Sequence, residues 1–213
     1  MDSIDDFRKR LKEIDILVCY ARHNAKDITK YQIFNKVAII LLITKFEVFV
    51  ESFMDEHSRK VLEQHTNMTF PMSVKGHYIE TAIARAYEKK TVDKKEEIIK
   101  NLLCLYSSKE EKLLSLIGIR PKLTFSLGKH GQNELEEMFK CHGMERFIKS
   151  SEVLPLLEKI NSMIAIRNNI IHEDATPSLT HIDVEQYQQA LIKLIDLLEK
   201  DIKQNAQEYY NKG

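Results

Sequence analysis

Glycine and proline are scarce in this chain, with six of one and four of the other in 213 residues. That is about 3% and 2%, against averages near 7% and 5%. Tight turns and bulges are therefore few, which excludes a sandwich, a barrel or a collagen-like chain. Cysteine is also sparse. Cys19, Cys104 and Cys141 are odd in number and far apart, with no CxxC pair among them. A disulfide scaffold or a zinc finger does not fit that spacing; reduced thiols in a cytosolic protein do. No charge sign dominates, since 32 basic side chains face 32 acidic ones. A general polyanion-coating role is disfavoured, although a local basic patch is compatible with the balance. There is no long hydrophobic run. The longest, Val37 to Ile43, is followed closely by Lys45 and Glu47, far short of the roughly 20 residues that span a bilayer. The start, MDSIDDFRKR, has neither the basic n-region nor the apolar h-region of a signal peptide. The expectation is a soluble, cytoplasmic protein with no membrane partner.

What is present is enough apolar surface for a core. Hydrophobic residues make up 43% and charged residues 30% of the chain, too apolar for disorder and of a length suited to one domain. The apolar positions recur at helical spacing. Ile4, Phe7, Leu11, Ile14 and Val18 share one face of a helix over 3–26, with Ser3 as its cap. After a break near Asp27–Lys30, a helix over 31–64 is built on Val37, Ile40, Leu41, Phe46, Val50 and Phe53. It is apolar nearly all round in its first half. A third helix is expected over 151–173, with Pro155 in its first turn and Leu156, Leu157, Ile160, Ile164 and Ile171 as its buried stripe. A fourth runs over 183–209, capped by Asp183. Between the second and third lies an insertion over about 66–149. Residues 66–75 read as a loop, followed by helices over 77–90 and from Asp93 to about Leu105, a short helix at 110–117, and one over 133–141 that ends at Gly143. Residues 118–132 hold three of the six glycines and read as the most loop-like stretch. No alternation of period two is long enough for a strand. The fold class is all-α: a bundle of four core helices in a single domain, with a helical and loop insertion.

Chemistry concentrates at the end of the third helix, in Arg167-Asn168-Asn169-Ile170-Ile171-His172-Glu173-Asp174. Arg167 and His172 are five apart, so they point about 140° from one another around a straight helix. Asn168 and His172 are four apart and share a face. The bland reading is a histidine that complements the helix dipole beside an arginine in a modest surface ion pair. A metal held by His172, Glu173 and Asp174 is a weaker alternative. The remaining histidines form no HExxH, HxxEH or HxH set, and Cys141-His142 reads as structural. No GxGxxG, P-loop or GxSxG occurs. The loop with Arg120, Lys122, Lys129 and His130, flanked by Gly128 and Gly131, suits a phosphate backbone or is a solvated connector. Tyr78, Tyr87 and Tyr106 can stack on bases or sit at the core edge.

The six residues Arg167 to His172 resemble the R-x4-6-H motif of the HEPN superfamily, in which a polar residue, commonly Asn, follows the arginine. The motif closes the third helix of an all-α bundle and precedes a last long amphipathic helix, as in that superfamily. KFEVFVESFMDE and FSLGKHGQNELEEMFKCHGM are similar to segments of its MAE_28990/MAE_18760-like branch. The resemblance implies a HEPN-like bundle and a metal-independent endoribonuclease that acts as a homodimer on an RNA substrate, without cofactor or metal. Arg167 and His172 would be the catalytic pair and Asn168 their polar support. It also implies a toxin or effector of a prokaryotic defence or toxin–antitoxin system, with an antitoxin or another defence-system protein as a partner. The other reading is a non-catalytic, dimerising HEPN-type scaffold that binds a protein such as a nucleotidyltransferase. The neutral charge balance leans towards the scaffold, and the intact Arg167, Asn168 and His172 towards the nuclease.

Overall fold

A computed structural model of the chain describes residues 1–65, 69–88, 92–104, 113, 121, 131–173 and 177–210. Those residues form helices and no strand, which matches the all-α expectation. In chain order the helices are α1 (Asp2–Arg10), α2 (Lys12–His23), α3 (Ile28–Gln64), α4 (Met72–Glu88), α5 (Val92–Cys104), α6 (Gln132–Cys141), α7 (Glu145–Ile148), α8 (Leu154–Glu173), α9 (His181–Gln204) and α10 (Ala206–Tyr210). Among the described residues, no helix is long and apolar enough to cross a membrane.

The chain divides into two compact units. The first comprises Met1–Phe53, Phe125–Leu135 and Lys149–Lys200. Its core comes from the apolar faces read in the sequence: Ile4, Phe7, Leu11, Ile14 and Val18 are all buried. Ser3 does not cap. The helix begins one residue earlier, at Asp2, after Met1. The single helix expected over 3–26 is interrupted at Leu11, which keeps helical dihedrals (φ −64°, ψ −22°), so the apolar face continues across the break. Asp27 caps α3, its Oδ1 accepting from the Lys30 amide at 3.2 Å. Within the first unit α3 buries one face only: Ala38, Ile39, Leu42, Ile43, Phe46, Phe49, Val50 and Phe53. Val37 is 44% exposed and Ile40 and Leu41 are half-buried, so three of the expected core positions lie off the buried stripe. Phe7, Phe46, Phe49 and Phe53 form an aromatic chain with centroids 5.0–6.4 Å apart, in edge, tilted and stacked geometries.

Polar contacts fix where the last long helix begins. The Tyr31 hydroxyl accepts from the His181 amide at 3.0 Å and lies 2.9 Å from His181 Nδ1. The buried Asn35 amide donates to the Leu179 carbonyl at 3.1 Å. Thr180, rather than Asp183, is the cap of α9. The Asp183 amide donates to Thr180 Oγ1, and Asp183 Oδ2 accepts from the Thr180 amide and hydroxyl at 2.8 and 2.6 Å. This is a reciprocal capping box with an aspartate in the usual Glu/Gln place. The helix expected to reach 209 breaks at Asn205, whose amide turns back to Asp201 O and Oδ1 at 3.0 and 2.8 Å and so competes with the backbone ladder.

The second unit comprises Met54–Thr124, Glu136–Ile148 and Asp201–Gly213. It therefore takes the end of α3 and the chain's last helix along with most of the insertion. Val61, Leu62, Phe70, Val74, Tyr78, Ala82, Ile98 and Leu113 form its core. Helix α4 starts at Met72, ahead of the expected His77, and the Pro71 carbonyl accepts its first bond from the Lys75 amide at 2.9 Å. Gly76 falls between the expected loop and the expected helix; it sits inside α4, with open space where a Cβ would be. Gly143 has the opposite character. Its φ is +82°, and an added Cβ would lie 2.9 Å from Val74 Cγ2. Gly143→Ala is expected to destabilise the protein by about 1–3 kcal/mol, read as a lowered denaturant midpoint with an unchanged slope. Apart from Leu113, the expected helix over 110–117 lies outside the described residues, as does most of the loop over 118–132.

Candidate active site

The residues that stood out in the sequence sit where α8 leaves the core. Pro155 occupies its first turn, where a missing amide costs nothing. Leu156, Leu157, Ile160, Met163 and Ile164 are buried at helical spacing. Met163 is an addition to the expected stripe. Ile171, expected within it, is 43% exposed, because burial fades over the last two turns. Arg167 and Asn168 are half-buried there, and Ile171, His172 and Glu173 are exposed.

Arg167 Nη1 donates to Asn168 Oδ1 at 3.0 Å. That bond matters for direction. Asn168 and His172 differ by only about 40° around the axis, whereas Arg167 and His172 differ by about 140°. By holding on to Asn168, the guanidinium swings towards the face that His172 also occupies. Among the described residues Arg167 makes no ion pair, and His172 makes no hydrogen bond. A half-buried guanidinium and an exposed imidazole at a helix end can receive an anion and exchange a proton. The planar fork of Arg suits phosphate oxygens, and imidazole is the side chain whose ordinary pKa lies nearest neutrality.

The other expected positions are less informative. Arg120, Lys122, Lys129 and His130 lie outside the described residues, as do Tyr106 and Asp174. Tyr78 is 1% exposed and belongs to the core of the second unit, whereas Tyr87 is 86% exposed. Gly131, at the end of that loop, has φ +56° and lies against Asn161. Asn161 Oδ1 accepts from the Gln132 amide at 3.1 Å and so caps α6.

Two groups of interacting polar side chains were not apparent in the sequence. His57 is fully buried. Its Nε2 donates to the His142 carbonyl at 3.1 Å, and its Nδ1 lies 2.9 Å from the Tyr210 hydroxyl. Burial, assisted by repulsion from His142, pushes its pKa down to about 3. His57 is thus a neutral, structural histidine at neutral pH. It also lines a cavity of about 180 Å³ with Val61, Pro71, Val74 and Tyr209. Cys141, half-buried beside His77 and Glu137, has its thiol pushed up to about 12 by burial and the Glu137 carboxylate. It is therefore not a ready nucleophile at neutral pH.

The family model described as RiboL-PSP-HEPN matches residues 5–204, nearly the whole chain and both compact units. No curated protein and no solved structure matches the chain.

Proposed function

The chain belongs to the RiboL-PSP-HEPN family, and from that membership we propose that it is a metal-independent endoribonuclease acting as a homodimer. The HEPN superfamily anticipated from Arg167 to His172 is thereby established, through the RiboL-PSP branch. Membership implies RNase or nucleotide-related chemistry in general; the finer reading rests on one observation. The half-buried Arg167 is tied to Asn168, on the helix face shared by the exposed His172.

RNA carries its own nucleophile. In the proposed step the 2′-oxygen attacks phosphorus and its proton passes to a neutral His172 imidazole. The bond from phosphorus to the 5′-oxygen breaks, and that oxygen takes a proton from an imidazolium, the partner subunit's His172. The products are a 2′,3′-cyclic phosphate and a 5′-hydroxyl. Arg167 places its donor fork on the phosphorane oxygens as charge builds, and Asn168 holds that fork in place. Arg120, Lys122, Lys129 and His130 serve as the backbone-tracking surface in this reading. The chain works as one HEPN-like domain, 1–213, in the cytoplasm, as a toxin or effector restrained by an antitoxin or another defence-system protein.

Apolar area left in water supports self-association. Ile171 is 43% exposed beside His172, and on α3 Ile33, Val37 and Val48 are 52%, 44% and 38% exposed. Ile171→Asp is expected to weaken the dimer about tenfold or more in dissociation constant, measured by sedimentation, with little change in monomer stability.

The second reading, a non-catalytic dimerising scaffold for a partner such as a nucleotidyltransferase, is favoured by the exact balance of 32 basic and 32 acidic side chains. Labelled structured RNA incubated with the purified protein in EDTA separates the two. Cleavage that leaves cyclic phosphate ends supports the nuclease. Intact RNA with a folded dimer supports the scaffold.

A further inference from the structure

Helices α4 and α6 bring together side chains that the RNA reading does not use. His77 and Glu80 lie three apart on α4, and Glu137 and Cys141 lie four apart on α6. Each pair therefore shares one face of its helix. Cys141 Sγ is 3.4 Å from His77 Nδ1 and 3.5 Å from Glu137 Oε1. One donor atom from each of His77, Glu137 and Cys141 lies within 4.8 Å of the others. Glu80 Oε2 lies 3.9 Å from His77 Nδ1. A tetrahedral ion with sulfur at about 2.3 Å and nitrogen at about 2.0–2.1 Å holds those two atoms about 3.5 Å apart. The observed sulfur–nitrogen and sulfur–oxygen separations are edges of that size. We propose that His77, Glu137 and Cys141 form a site for a zinc-type divalent ion, with the Glu80 carboxylate as the fourth ligand.

The donor chemistry narrows the ion. One thiolate, one imidazole and carboxylate oxygens suit a borderline ion such as zinc, and not magnesium or calcium, which take oxygen alone. Access is adequate, since the Glu137 and Glu80 side chains are 58% and 82% exposed and that of His77 is 22% exposed. Glu137 turns its second oxygen to Lys140 at 3.6 Å, so it offers one oxygen to the ion. The ligands span two helices and leave no vacant position once Glu80 closes, so the ion cross-links α4 to α6 and has no part in RNA cleavage.

Cobalt(II), which replaces zinc and is coloured, is the probe. Titrating the EDTA-stripped, desalted full-length protein with cobalt is expected to give one equivalent of binding. It should show a sulfur-to-cobalt charge-transfer band and intense visible bands of a tetrahedral ion, both bleached by added zinc. Cys141→Ser is expected to abolish the charge-transfer band. His77→Ala and Glu137→Gln should each weaken binding about tenfold or more, and Glu80→Gln should weaken it less. Cys19 also sits near a histidine, with Sγ 3.5 Å from His23 Nδ1, so Cys19→Ser is the control and should leave the spectrum unchanged. Far-ultraviolet circular dichroism of each variant separates lost ligation from lost folding. The site is overturned if the folded wild type shows no charge-transfer band, or if the band survives Cys141→Ser. It is equally overturned if cobalt affinity is the same in folded His77→Ala as in wild type. None of these readouts involves RNA, so the site stands or falls apart from the nuclease reading.

Discussion

His172→Ala is expected to lower metal-independent RNA cleavage by about 10²- to 10⁴-fold, the usual contribution of a positioned acid–base group. Arg167→Ala should lose about 10²- to 10³-fold, in the range seen when a single donor to a developing oxyanion is removed. Arg167→Lys keeps the charge but not the planar fork, so it should recover only part of that loss. Asn168→Ala frees the guanidinium from its 3.0 Å anchor and is expected to give the smallest loss of the three positions. The folding cost of His172→Ala should stay within about 0.5 kcal/mol, as for other surface substitutions. The reason is that His172 is exposed and makes no hydrogen bond among the described residues. Single-turnover cleavage of labelled RNA in EDTA, with melting of each variant beside it, is the measurement. A folded His172→Ala protein that cuts at the wild-type rate removes the imidazole from the mechanism. Loss of cleavage in both His172→Ala and Arg167→Ala, with the dimer intact, is the pattern that a scaffold role does not produce.

Acid is expected to weaken the protein steeply, chiefly through His57. In the unfolded chain this imidazole takes up a proton near 6.5. In the folded protein burial holds its pKa down to about 3. Between those values the unfolded state binds more protons, so stability falls as the pH falls. The contribution is fully present above about pH 6.5 and is lost by about pH 3, a difference of roughly 4–5 kcal/mol. The neutral ring donates from Nε2 to the His142 carbonyl, leaving Nδ1 free to accept from the Tyr210 hydroxyl. Protonation turns that acceptor into a second donor and breaks the contact. Denaturant midpoints at a series of pH values, followed by tyrosine fluorescence, read this directly. His57→Gln retains an acceptor and a donor but does not titrate. It should be less stable at pH 7 and show a flatter pH dependence below 6.5. A variant curve as steep as wild type would assign the acid loss to other groups.

The all-α class and the helical spacing of Arg167, Asn168 and His172 were legible in the sequence, because each depends on residues close together along the chain. Phe46, Val50 and Phe53 repeat at helical spacing and are buried. Arg167, Asn168 and His172 stand within two turns of one helix, so the helical repeat alone places them. Local reading failed where a local signal was ambiguous. Glycine is a poor helix former, yet Gly76 lies inside α4. Ile171 continues an apolar stripe, yet it emerges into solvent because α8 has by then left the core.

Tertiary structure alone decided the rest. His57 is held neutral by burial, and its partners, a carbonyl 85 residues away and a tyrosine 153 residues away, reach it only through packing. Cys141 meets His77 across 64 residues, a spacing that matches no ligand motif. Periodicity along one helix determines which side it buries, but not which residues of a distant helix come to lie against it. Those meetings are set by packing many side chains at once, and no short stretch of sequence carries that information.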